Sequence, residues 1–115
     1  MKKVMVIGCG KYMEQGYGCP AEWRCLKAAG LGEGEFDEPS QVVGFLKCEC
    51  PGRPLIPNIG MFIKQSENKP DVIHFSSCLI NAFPGCPYWK PEEVARLIED
   101  RLGIPVISGT HHYHA

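Results

Sequence analysis

Val4-Met5-Val6-Ile7-Gly8-Cys9-Gly10 decides the fold. Val4 to Ile7 is apolar without alternation and is followed at once by glycine, the pattern of a strand buried on both faces in a parallel sheet. Parallel strands need crossover helices, so the rest of the chain is expected to alternate between strand and helix. It does. Gly- and Tyr-rich residues 10–19 read as a loop, and Pro20 to Ala29 read as a helix stopped by Gly30. Leu31 to Ser40 reads as loop and Gln41 to Lys47 as a second strand, which runs into the irregular Cys48-Glu49-Cys50-Pro51-Gly52-Arg53-Pro54. Ile59, Phe62 and Ile63 share one face of a helix starting near Pro57 and ending at Lys64 or Gln65, before Asn68-Lys69-Pro70 breaks it. Asp71 to Cys78 reads as the third strand. Lys90-Pro91-Glu92-Glu93 opens a helix with Val94, Leu97, Ile98 and Leu102 as its apolar stripe and Gly103 as its end. Pro105 to Thr110 is the fourth strand, stopping at His111.

This order predicts an α/β protein: one three-layer, flavodoxin-like domain over residues 1–115, with right-handed crossovers and a four-stranded parallel sheet in the order 2-1-3-4. A length of 115 residues suits one core. The composition, 44% hydrophobic and 22% charged, is that of a folding globule. A net charge of -1, without a cationic cluster, gives no basis for nucleic acid or an anionic membrane as partner. No apolar run approaches the ~18 residues of a membrane span. Met1-Lys2-Lys3 leads straight into the first strand rather than into a secretory signal, so a cytoplasmic location is expected. There, seven cysteines point to metal or redox chemistry rather than to disulfides.

Cys9, Cys48, Cys78 and His111 each fall at the C-terminal end of one of the four expected strands. In a parallel sheet those ends share the edge where open α/β folds place their ligands. Thiolate and imidazole together suit zinc, an iron–sulfur cluster or Cu(I). Cys50, two residues after Cys48, and Cys86, between Gly85 and Pro87 in the loop after the third strand, extend the set. Cys19 and Cys25, near the start of the first helix where its dipole favours a thiolate, form a second tier. A buried cysteine also packs simply as a small hydrophobe, and for Cys25 the two readings weigh equally. His74, inside a buried strand, reads as a hydrogen-bonded core residue or a support behind the ligands rather than a ligand, while His112 and His114, which follow His111 in an exposed-looking tail, either substitute for it as ligand or serve no role. The expected function is thus metal binding, with a zinc ion or iron–sulfur cluster as cofactor. The alternative is a thiol redox or sulfur-transfer enzyme in which Cys48 and Cys50 form the working pair. Gly8-Cys9-Gly10 lacks the spacing of a dinucleotide-binding glycine motif, and no P-loop pattern is present.

Gly44-Phe45-Leu46-Lys47-Cys48-Glu49-Cys50-Pro51-Gly52-Arg53 resembles the hallmark segment of the CGGC domain family, small proteins rich in cysteine and histidine. The resemblance continues through Ile7-Gly8-Cys9, Cys25-Leu26-Lys27-Ala28, Val72 to Cys78, Cys86-Pro87 and Gly109-Thr110-His111. It implies metal binding by this chain. The family's Cys-Gly-Gly-Cys is here Cys48-Glu49-Cys50, one residue shorter between the sulfurs. A C-x-C pair closes a more strained disulfide ring than C-x-x-C and favours shared metal ligation.

Overall fold

The computed structural model describes residues 1–9, 24–48, 55–80 and 90–110; for Cys9, Arg24 and Cys78 the description covers the backbone. In chain order the elements are β1 (Lys2–Cys9), α1 (Arg24–Leu31), β2 (Ser40–Cys48), α2 (Leu55–Ser66), β3 (Val72–Phe75), α3 (Ser77–Ile80), α4 (Pro91–Leu102) and β4 (Val106–Ser108). The strands form one sheet in the order β2-β1-β3-β4, every neighbouring pair parallel, as the alternation of apolar runs and helices predicts. This is a flavodoxin-like arrangement. None of the described helices is long and apolar enough to cross a membrane.

Side chains of the central strands alternate between two layers, as the period of a strand requires. Met5, Ile7, Ile73 and Phe75 pack with Leu55 and Ile59 of α2 and with Val94 and Ile98 of α4. Val4, Val6 and Val72 pack on the opposite side with Cys25, Ala28 and Ala29 of α1 and with Phe36. All four residues of β3 are buried, which explains why its run Val72-Ile73-His74-Phe75 shows no polar alternation.

Several boundaries differ from the sequence reading for identifiable reasons. Gly30 does not stop α1, which runs on to Leu31. Gly32 stops it: φ is 69°, its N–H donates to the Ala29 carbonyl, and the Glu33 N–H donates to the Ala28 carbonyl. That pair of bonds is a Schellman cap, in which the left-handed residue falls to glycine because it has no Cβ. A Cβ on Gly32 would also stand 2.8 Å from the Glu38 and Pro39 backbone. The start of the first helix, Pro20 to Trp23, lies outside the described residues. α2 begins at Leu55 instead of Pro57, because the first turn has no internal partner for the N–H that proline lacks. β3 ends at Phe75, not Cys78. Ser76 accepts the Leu79 N–H at its Oγ, 3.2 Å away, and so caps α3, which takes Cys78 off the strand and into a helical turn. In α4 Leu97 is 42% exposed although it was expected in the apolar stripe; Val94 and Ile98 carry the burial. Gly103 ends α4 as expected, with φ 67°.

β2 carries a bulge. Val4 pairs with Val42 but Met5 pairs with Gly44, leaving Val43 as the extra residue. Past the bulge the ring of Phe62 from α2 lies directly over Gly44, and a Cβ there would stand 2.6 Å from its Cζ. Gly44→Ala is therefore expected to force the ring aside and cost about 1–3 kcal/mol in urea unfolding. A loss below the error of that measurement would mean that Phe62 does not pack on β2.

Candidate metal centre

Two cysteine positions meet at the C-terminal edge of the sheet. Cys9 and Cys48 are the last residues of β1 and β2 and are Cα partners across those adjacent strands. Cys78 is the second residue of α3, directly beyond β3. The chain there is tied to β1 by the Ser76 N–H, which donates to the Ile7 carbonyl at 2.8 Å. Cys48 is 6% exposed and packs with Ile7, Leu55 and Ile59 in the layer of α2 and α4.

Cys25 belongs to the other layer. It packs with Val4, Val6 and Phe36, and its Sγ lies 3.2 Å from Thr110 Oγ1. The two described cysteine side chains are thus separated by the sheet, and among the described residues no group of three His, Cys, Asp or Glu side chains is placed to hold a metal ion. Cys19, Cys50, Cys86 and His111 lie outside the described residues.

Residues that the sequence reading passed over organise the far end of this edge. Beyond β4, the Gly109 N–H donates to the Phe75 carbonyl at 2.7 Å, and the Glu35 N–H donates to the Thr110 carbonyl at 2.9 Å. The Thr110 N–H donates to Ser77 Oγ at 3.2 Å and the Ser77 N–H donates to Thr110 Oγ1 at 3.3 Å. A hydroxyl residue directly after a strand, as at Ser76-Ser77, is the available sequence signal for such a cap or clamp.

His74 is a core residue, as expected: it is 2% exposed, and Phe36 stacks on it with ring centroids 4.0 Å apart. Its Nδ1 lies 2.9 Å from the Gly109 carbonyl oxygen. A carbonyl only accepts, so Nδ1 carries the proton and donates it. Burial pushes the imidazole below its ordinary value of 6.5, and Lys2 acts in the same direction. The bond to Gly109 and the carboxylates of Glu35 and Asp37 oppose the shift without reversing it. The unfolded chain therefore binds this proton at a higher pH than the folded one, and stability falls as pH drops below 6.5 toward the folded-state value. Urea unfolding of metal-free protein between about pH 5 and 7 is expected to show that loss, and His74→Gln to flatten it. An identical pH slope in the variant would show that His74 is not the group responsible.

The fold and its edge define a class: an α/β protein that brings cysteines from separate strands to the C-terminal end of a parallel sheet. A family model for the CGGC domain matches residues 3–111. An uncharacterized protein of Methanocaldococcus jannaschii is 31% identical over 115 residues, covering 95% of this chain and 86% of that protein. The chain belongs to the CGGC domain family. No solved structure matches it.

Proposed function

We propose that the chain binds a zinc ion or an iron–sulfur cluster through thiolates at the C-terminal edge of its sheet. The observation that carries this reading is the Cα pairing of Cys9 with Cys48 at the ends of β1 and β2. Adjacent strands run about 4.8 Å apart. Two sulfurs sharing a tetrahedral zinc at ~2.3 Å each stand about 3.8 Å from one another, a separation that neighbouring strands accommodate. Cys78, arriving from α3, is the third position, and Cys50, Cys86 and His111 supply the remainder of the leading ligand set, with Cys19 behind them.

The donor chemistry fits the group. Sulfur-rich sites select zinc, Cu(I) or iron–sulfur clusters and disfavour the hard cations that prefer oxygen. A cysteine as buried as Cys48 carries a thiolate at low cost only beside a compensating cation. The same burial weighs against the alternative dithiol enzyme, whose attacking thiol must be reached by its substrate.

Elemental analysis with an absorption spectrum, on protein purified without oxygen, tests the reading. Zinc at about one or more equivalents without colour, or iron with acid-labile sulfide and visible absorption, is the expected result. Metal-free protein whose seven thiols all react and which takes up neither zinc nor a cluster would sink it and promote the thiol enzyme.

A further inference from the structure

Thr110 is fully buried, and its hydroxyl has three polar neighbours: Ser77 N at 3.3 Å, Ser77 Oγ at 3.4 Å and Cys25 Sγ at 3.2 Å. A hydroxyl donates once and accepts twice, so three partners use its whole capacity. The Ser77 N–H occupies one acceptor site. Of the other two neighbours one must donate and one accept: either the Ser77 hydroxyl donates and Cys25 sulfur accepts, or the Cys25 thiol donates and Ser77 accepts. The return bond from the Thr110 N–H to Ser77 Oγ closes a reciprocal clamp between the two chain segments. One segment leads directly into Cys78 and the other into His111.

We propose that Cys25 serves the metal centre as a positioning residue, completing the Ser77–Thr110 clamp that fixes the approaches to Cys78 and His111, and is not itself a ligand. The inference rests on the metal-binding reading and deepens it. Cys25 lies in the α1 layer, across the sheet from Cys48, with its sulfur against the Thr110 hydroxyl. Groups that orient ligands from behind typically influence metal affinity by about 10- to 100-fold.

The test titrates the full chain with cobalt(II) alone, reading affinity and the intensity of sulfur-to-cobalt charge-transfer absorption, which reports the number of thiolate ligands. Thr110→Val, which removes the hydroxyl and keeps the shape, is expected to weaken binding about tenfold or more, and Thr110→Ser to restore most of it. Cys25→Ala is expected to weaken binding with the charge-transfer intensity per bound cobalt unchanged. Should Thr110→Val fail to fold by circular dichroism, Ser77→Ala opens the same clamp from its half-buried side and must show the same loss. Wild-type affinity in the folded clamp variants overturns the proposal, as does a drop of one thiolate in Cys25→Ala. A wild-type chain that binds no cobalt overturns the metal-binding reading and the inference together, whereas retained binding in the clamp variants overturns the inference alone.

Discussion

Replacing Cys9 and Cys48 together by serine is expected to cut zinc or cluster affinity by at least 100-fold and to erase the stability that metal confers. Serine does not ionise near neutral pH, so the variant loses both thiolates at the place where, among the described residues, two ligand positions are paired across adjacent strands. Metal that binds the folded chain alone stabilises it by about 2.7 kcal/mol at a free concentration 100 times its dissociation constant. In the wild type, thermal or urea unfolding with and without a chelator should differ by at least that amount; in the double variant the two curves should coincide. Serine at position 48 also buries a hydroxyl in an apolar layer, so the metal-free variant has its own lower baseline and the chelator difference is the quantity to compare. A double variant that still loses stability on chelation would place the ligands elsewhere.

Phe75→Ala is expected to be the most damaging single change to the fold, at about 3–5 kcal/mol. Phe75 is fully buried, lies in an interior strand and packs in the larger of the two layers with Ile7, Ile73 and Ile98. Whole-domain stabilities run at about 5–15 kcal/mol, so the loss is a large fraction of the total. It should appear as a lower urea midpoint with an unchanged slope, and Phe75→Leu should recover much of it. A cost under about 1 kcal/mol would mean that the ring is not held as the layer packing requires.

The architecture was legible because its strongest signals are local. The apolar run Val4–Ile7 and the run Val72–Phe75, apolar but for His74, suit strands covered on both sides, and the helices between them leave a parallel sheet as the simplest arrangement. Gly103 was equally plain, since it follows an amphipathic run directly. Ends decided by tertiary contact were less readable. Gly30 and Gly32 look alike in sequence, and what separates them is the backbone of Glu38 and Pro39 lying against the second. Ser76-Ser77 continues a strand-like run in composition, whereas in space the Ser76 side chain turns the chain into α3.

For the candidate site, sequence indicated Cys9 and Cys48 at the ends of two strands of the sheet. The pairing of Cys9 with Cys48 agrees with that expectation, and Cys78 lies just beyond the same edge. The layer to which each cysteine belongs was hidden, because it depends on strand register and on how α1 packs. Thr110 was hidden for a related reason: a lone threonine near a strand end has no pattern until Ser77 and Cys25 stand beside it.

The single extra residue at Val43 has a consequence for parity. Val42 packs in the α1 layer, yet Leu46, an even number of positions later, packs with α2 and α4, and so does Cys48. A regular strand would send all three to one side. Pairing the same residues without the bulge, with the first half of β2 held in place, would carry Cys48 through the sheet to the side of Cys25 and expel Leu46 from its layer, whereas deleting Val43 would leave a regular strand with Cys48 still opposite Cys9. The bulge is therefore what assigns the chain's central cysteine to its compartment: ironing it out without a compensating deletion would exchange one arrangement of thiols for another without altering any cysteine.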